Sequence, residues 1–197
     1  MLNRRGEETR QLIKKSSCAL FAEKGFKQVT MKDICERTKL SRGGLYCHYS
    51  STQEIFHDIL DDFMNHQEDT ISEKIAQNIP AVIILNDILE TYRQEMMDSP
   101  SSLSLAILEY FSLQNLSDTE NELFQQYQMS LKSWKNLIRY GIERGEFHHV
   151  DVEAVFHLII FAYQGVRMYS NLMPIKEDIP TGVVEQIKKI LIKKNQL

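Results

Sequence analysis

The sequence predicts an all-α protein of about nine helices, and three observations predict it. Apolar residues recur at helical spacing along almost the whole chain. No segment alternates with the two-residue period of a half-buried strand. Only four prolines and eight glycines punctuate 197 residues, which leaves long stretches for helices. There is no internal repeat and no low-complexity tract.

The first helix is expected over Glu7–Lys24, where Ile13, Ser17, Leu20 and Phe21 share one face and Gly25 stops the chain. In "TMKD", Thr30 and Asp33 form a capping box. It opens a second helix that runs to about Thr38 and buries Met31, Ile34 and Cys35. The two-residue joint Lys39-Leu40 leads to a third helix, Arg42–Tyr49, capped by Ser41. A second capping box, Ser51 with Glu54, opens a long fourth helix with the apolar stripe Ile55, Phe56, Ile59, Leu60 and Phe63. Pro80 opens "PAVIILNDILETYRQEMM", and "DSPSS" (98–102) is a loop. "LSLAILEYFSLQN" is helical, and "LSDTE" (116–120) restarts a helix that lasts to Arg144 before Gly145. Helices over Asp151–Met173 and Gly182–Lys194 follow.

Short helices with a tight joint in the first fifty residues describe a helix-turn-helix. In the third helix Leu45 and Tyr49, at i and i+4, mark the buried side. Gly43 and Cys47 then point outward with Gly44 beside them, flanked by Arg42, Tyr46 and His48. Two glycines weaken a helix by about 1 kcal/mol each relative to alanine. What they allow is close approach of the backbone to a partner. Arg42 can donate two hydrogen bonds to guanine O6 and N7, and Tyr46 and His48 can reach phosphates on the rims. The face suits a DNA major groove. A short linker helix with a glycine turn is the other reading of the same residues.

Charge is divided unevenly. Residues 1–55 carry eleven Lys/Arg and six Asp/Glu, a net +5, and residues 56–197 carry twelve and twenty-one, a net −9. A basic head on an acidic body suits a polyanionic partner, although small segments differ by several charges by chance. The N-terminus has no apolar signal-peptide core, and no apolar run is long enough to span a membrane, so a cytoplasmic protein with no membrane partner is expected. Cys18, Cys35 and Cys47 are odd in number and lack CxxC spacing, which fits reduced thiols and no zinc site. Nothing marks an enzyme: there is no nucleophile–base pair, phosphate loop or metal cluster. No cofactor is expected. The adjacent His148 and His149 read as surface residues.

The segment "TRQLIKKSSCALFAEKGFKQVTMKDICERTKLSRGGLYCHYSSTQEIF" resembles the N-terminal DNA-binding domain of the TetR family of bacterial transcriptional regulators. "LFAEKGF" closes the first helix, "VTMKDI" opens the second, and "LSRGGLYCHY" is the recognition helix. The resemblance implies a DNA-binding domain over 1–50 and a ligand-binding and dimerisation domain over 51–197. It implies that Arg42, Gly43 and Gly44 occupy positions from which the family reads bases, with Ser41, Cys47 and Thr52 as further DNA-binding candidates. Tyr46 and His48 would contact the backbone, and Thr30 would bind a phosphate at the second helix's N-terminus. This chain departs from the family pattern twice: Lys39 stands where members usually have Gly, and Thr52 where most have a phosphate-binding Lys. Asn3, Arg4 and Arg5 would compensate as a disordered arm, or be a solvated terminus.

In such a regulator the last two helices pair with those of a second copy. Gly165, with Ile159, Ala162, Val166 and Tyr169, and a stripe of Val184, Ile187 and Leu191, are the residues expected there; an ordinary intramolecular core is the alternative. Phe63, Met97, Tyr110, Phe111, Tyr127 and Trp134 are the candidate effector-pocket residues, since aromatic groups with polar tips suit small-molecule sites, or they are core. Cys47 as a redox switch has only His48 nearby to lower its pKa. The expected function is that of a homodimeric repressor on a palindromic operator, released by a small apolar or amphipathic ligand. The alternative is a DNA-associated or protein-binding regulator that senses no small molecule.

Overall fold

The computed structural model describes residues 2–65, 70–97, 102–114 and 121–193. Among them are ten helices and no strand: α1 Leu2–Lys24, α2 Met31–Thr38, α3 Arg42–Tyr46, α4 Thr52–Asn65, α5 Thr70–Ala76, α6 Ala81–Met97, α7 Ser104–Ser112, α8 Glu122–Glu143, α9 Val152–Tyr169 and α10 Asp178–Leu191. The helix the sequence reading lacks is α5, a segment with no fully buried residue and so a weak apolar pattern.

The chain divides into two compact units. The first comprises residues 1–67 and 100–115, the second 68–99 and 116–197. The first unit therefore extends past residue 50 to take in α4, and it recruits α7 from far along the chain. Its core unites Ile13, Leu20 and Phe21 of α1, Ile34 of α2, Leu45 and Tyr49, and Ile55, Phe56, Ile59 and Leu60 of α4 with Ala106 and Tyr110 of α7. Four aromatic rings knit it: Phe56 lies 4.8 Å from Phe21, and Tyr110 lies 5.1 Å from Phe26 and 5.0 Å from Phe56. Contacts at these distances stabilise by about 0.5–1.5 kcal/mol beyond area burial.

Several boundaries differ from expectation for identifiable reasons. Residues 2–6 extend α1 as helix, with Arg4 paired to Glu8 one turn on, so Arg4 and Arg5 are not a disordered arm. The third helix ends at Tyr46 instead of Tyr49, and its exit is a turn in which His48 and Tyr49 both donate to the Leu45 carbonyl. The capping box before α4 is split: Ser51 Oγ accepts from the Glu54 amide at 3.2 Å, while the Glu54 carboxylate reaches back to the Ser50 amide at 2.7 Å. The last helix starts at Asp178, because Pro180 in its first turn lacks only an N–H that would have no partner there. Positions 98–101 of the expected loop and 116–120 of the expected helix restart lie outside the described residues.

In the second unit α6, α8, α9 and α10 bury Leu85, Leu89, Trp134, Leu137, Phe156, Ile159 and Leu191. Gly145, at φ +75°, turns the chain out of α8. Phe147 then pairs with Ile192 across an isolated antiparallel bridge, and its ring fills the space over Gly141. The Glu146 carboxylate, nearly fully buried, accepts from the Val82 amide at 2.9 Å and pairs with Arg144. No helix among the described residues is long and apolar enough to cross a membrane.

Candidate nucleic-acid interface

The outward surface of the first unit is set by α2, the turn after it, and α3. Thr30 caps α2 through a full capping box: its Oγ1 accepts from the Asp33 amide at 3.2 Å, and its own amide donates to the Asp33 carboxylate at 2.9 Å. The Thr30 hydroxyl also donates to that carboxylate, which Lys24 holds at 2.8 Å. The hydrogen bonds from Lys24 and Thr30 keep Asp33 ionised far below the usual carboxylate range. The hydroxyl is thus committed to the cap, and what α2 offers a phosphate is its exposed first amides.

Ser41 caps α3 by accepting from the Gly44 amide at 3.1 Å. Leu45 and Tyr49 point inward, fully buried; Arg42, Gly43, Tyr46 and Cys47 are exposed, and Gly44 and His48 are half-buried. The two glycines differ. A Cβ at Gly44 would lie 3.3 Å from Ser41 Oγ, so the cap itself favours a small residue there. A Cβ at Gly43 would meet nothing within 4 Å, and neither residue has a positive φ. Nothing inside the chain requires glycine at 43. Thr52, half-buried, is the first residue of α4.

A partly buried polar network fixes this surface to the rest of the unit. Tyr49 donates its hydroxyl to Asp58 of α4, which also accepts from Arg10 of α1 at 3.0 Å, while the Arg10 guanidinium lies 4.8 Å over the Tyr49 ring. Lys14 completes the cluster by pairing with Asp62. Burial, and then the bond to Asp58, drive the Tyr49 pKa well above its ordinary value, so the phenol stays a neutral donor. The sequence reading missed Arg10 and Asp58. Their signal was their spacing on two amphipathic helices, which shows in sequence only once α1 and α4 are known to touch.

The family model for bacterial regulatory proteins of the tetR family matches residues 13–59, and that for the tetracyclin repressor-like C-terminal domain matches residues 84–179. The chain belongs to the TetR family. It is 27% identical over 139 residues to the uncharacterized HTH-type transcriptional regulator YfiR of Bacillus subtilis, covering 70% of this chain and 67% of that one. It is 26% identical over 160 residues to the HTH-type transcriptional repressor KstR2 of Rhodococcus jostii, covering 78% and 76%. Among solved structures, a TetR transcription regulator from Haloarcula marismortui superposes with a TM-score of 0.71 at 18% identity, over 95% of this chain and all of that one. The protein is a TetR-type transcriptional regulator with a helix-turn-helix DNA-binding domain, and its relatives are regulators, not enzymes.

The other expected site residues fall as follows in this TetR-type chain. Tyr110 and the half-buried Phe111 pack in the first unit, whereas Tyr127 and Trp134 pack in the second. Met97 is exposed at the end of α6, and the Phe63 side chain lies outside the described residues. Trp134 lies 6.1 Å from Tyr92, which stacks on Tyr163 at 4.1 Å. Tyr163 donates to Glu95, and Arg167 donates to the Tyr163 hydroxyl at 2.7 Å. Sequence reasoning missed this group; its one local signal was the Tyr163–Arg167 spacing of four. Tyr127 bonds His157 at 2.8 Å. Of the residues expected at a helix seam, Ile159, Val184, Ile187 and Leu191 are buried in the chain's own core and Val166 packs against it. Ala162 and Gly165 are half-buried, and Tyr169 is exposed. The exposed apolar residues on the same helices are Leu158, Phe161, Tyr169 and, just beyond α9, Leu172 and Met173, with Ile179 and Ile190 on α10. Cys47 is exposed, and His148 and His149 are exposed on the turn after α8.

Proposed function

We propose that this protein is a homodimeric repressor that binds a two-fold operator through Arg42–His48 and leaves it when a small apolar or amphipathic effector binds the second unit. The observation that carries the DNA-reading face is Gly43. Its missing side chain has no reason inside the chain, and a helix tolerates that cost where an outside surface comes close. Arg42 beside it is exposed and enters no ion pair among the described residues, so its guanidinium is free for a guanine edge.

Two features support the dimer. Leu158, Phe161 and Tyr169 follow one face of α9, with Leu172 just beyond its end, and the four are 60, 63, 59 and 80% exposed. Gly165 lies among them, and a Cβ there would touch nothing in this chain. Apolar area of this kind is covered in stable proteins by a partner, and a second copy supplies the second half-site that one recognition helix needs.

For the effector, the group Tyr92, Trp134 and Tyr163, with Glu95 and Arg167 at its polar end, combines flat apolar surface with fixed hydrogen-bonding tips. Selection from a pool of random duplexes tests the reading. It should enrich a pseudo-palindrome with half-sites one helical turn or a multiple apart, and members of a thermal-shift screen of amphipathic compounds that stabilise the protein should release it. Failure to enrich any sequence would sink the operator reading; enrichment with no releasing compound would leave a regulator that senses no small molecule.

A further inference from the structure

Four residues among those described have a positive φ: Gly25, Asn78, Gly145 and Lys39. Glycine adopts that conformation freely, and asparagine tolerates it better than other side chains. Lys39, at φ 60° and ψ 20°, is the exception. It is the left-handed residue that ends α2, the position where glycine is the usual solution. The conformation there is imposed by its neighbours. The Thr38 hydroxyl donates to the Ile34 carbonyl at 2.7 Å and accepts from the Leu40 amide at 3.4 Å, so the reversal into α3 is fixed whichever residue stands at 39. A lysine there is strained, and its side chain is exposed, so little burial repays the strain.

A second observation concerns charge. Most basic side chains of the first unit are neutralised within it: Arg4 by Glu8, Lys24 by Asp33, Lys32 by Glu36, Arg37 by Glu23, Arg10 by Asp58 and Lys14 by Asp62. Among its described residues, Arg5, Lys15, Lys27, Lys39 and Arg42 form no ion pair. Lys39 and Arg42 stand three residues apart, on either side of the Ser41 cap that begins the recognition helix, and both are exposed. We propose that Lys39 is a sequence-independent clamp on the DNA phosphate backbone, held beside the base-reading face by a strained turn. The lysine supplies a backbone contact that Thr52, an uncharged residue at the head of α4, does not. The inference rests on the DNA-binding reading above.

The test uses the full-length protein and a mixed-sequence DNA duplex, so no operator need be known. Lys39→Gly removes the charge and the strain together, Lys39→Asn removes the charge in a residue that accepts the left-handed turn, and Lys39→Arg keeps the charge. Lys39→Gly should melt no lower than the parent. Both uncharged variants should bind the duplex roughly five- to tenfold more weakly per subunit at about 0.1 M salt, with the slope of log affinity against log salt shallower by about 0.9 per subunit. Lys39→Arg should match the parent in both. Uncharged variants with the parent's affinity and slope would overturn the inference alone. A parent that binds no duplex even at low salt would overturn it together with the DNA-binding reading.

Discussion

At Gly43 and Arg42 the chain gives up stability and leaves a charge unpaired. Replacing Gly43 by alanine should raise stability by up to about 1 kcal/mol, since glycine is that much poorer in a helix, while weakening operator binding. An urea melt read beside a binding isotherm checks both, and a variant that is more stable and binds as well as the parent would end the close-approach argument. Arg42→Ala should cost about 1–3 kcal/mol on the selected operator and less on random DNA; equal losses on both would make Arg42 a backbone contact. Asp58 is a different kind of residue, half-buried and holding others. Burial pulls its pKa upward, but the hydrogen bonds from Tyr49 and Arg10, with the charges of Lys14 and Arg10, outweigh it and leave the value depressed. A depressed carboxylate contributes stability above its unfolded pKa and loses it as pH falls through the folded one. Asp58→Asn should therefore destabilise by about 1–2 kcal/mol at neutral pH. The gap from the parent should begin to narrow as pH falls below about 4, the ordinary carboxylate value, and close only once pH has passed below the depressed folded value. A gap independent of pH would show that the charge of Asp58 is not what holds Tyr49.

Elements here are decided by their ends. α3 is five residues long, too short to persist without neighbours. It is held by the Ser41 cap on one side and by buried Leu45 and Tyr49 on the other. The end of α8 is held by a ring against a bare backbone. A Cβ at Gly141 would stand 2.2 Å from Phe147 Cδ2, and that ring is fully buried. Gly141→Ala should thus destabilise the second unit by at least about 1–3 kcal/mol, the range for overpacking in a tight core. Denaturant unfolding followed at Trp134 reads that unit. An unchanged midpoint would mean that Phe147 can leave without loss, and with it the bridge to Ile192.

At the scale of the whole molecule, the proposed pairing with a second copy is tested on α9 and α10. Ile187 is 7% exposed within the single chain, so an acidic residue there should unfold the second unit instead of merely separating subunits. Phe161 is 63% exposed, and Phe161→Glu should leave the helical signal intact, give monomers by light scattering and abolish tight operator binding. A Phe161→Glu protein that remains dimeric would place the interface elsewhere.

The helical class, the Thr30–Asp33 capping box, the inward Leu45 and Tyr49 and the outward Gly43 are local properties. Periodicity and side-chain chemistry within a few residues determine them, and the sequence by itself was enough to establish each. It also sufficed to place the family resemblance, because the recognition motif is contiguous. What the sequence left open is what depends on partners distant in the chain. That α7 packs with the first unit, that Tyr110 belongs to the Phe26–Phe56 cluster, and that Ile159, Ile187 and Leu191 face inward while Leu158 and Phe161 face out were decided by tertiary packing. An apolar stripe on a helix states that one side must leave water. With α9 apolar on more than one side, the stripe cannot say which neighbour covers which side, and that choice is made by the shape of the helices packed around it.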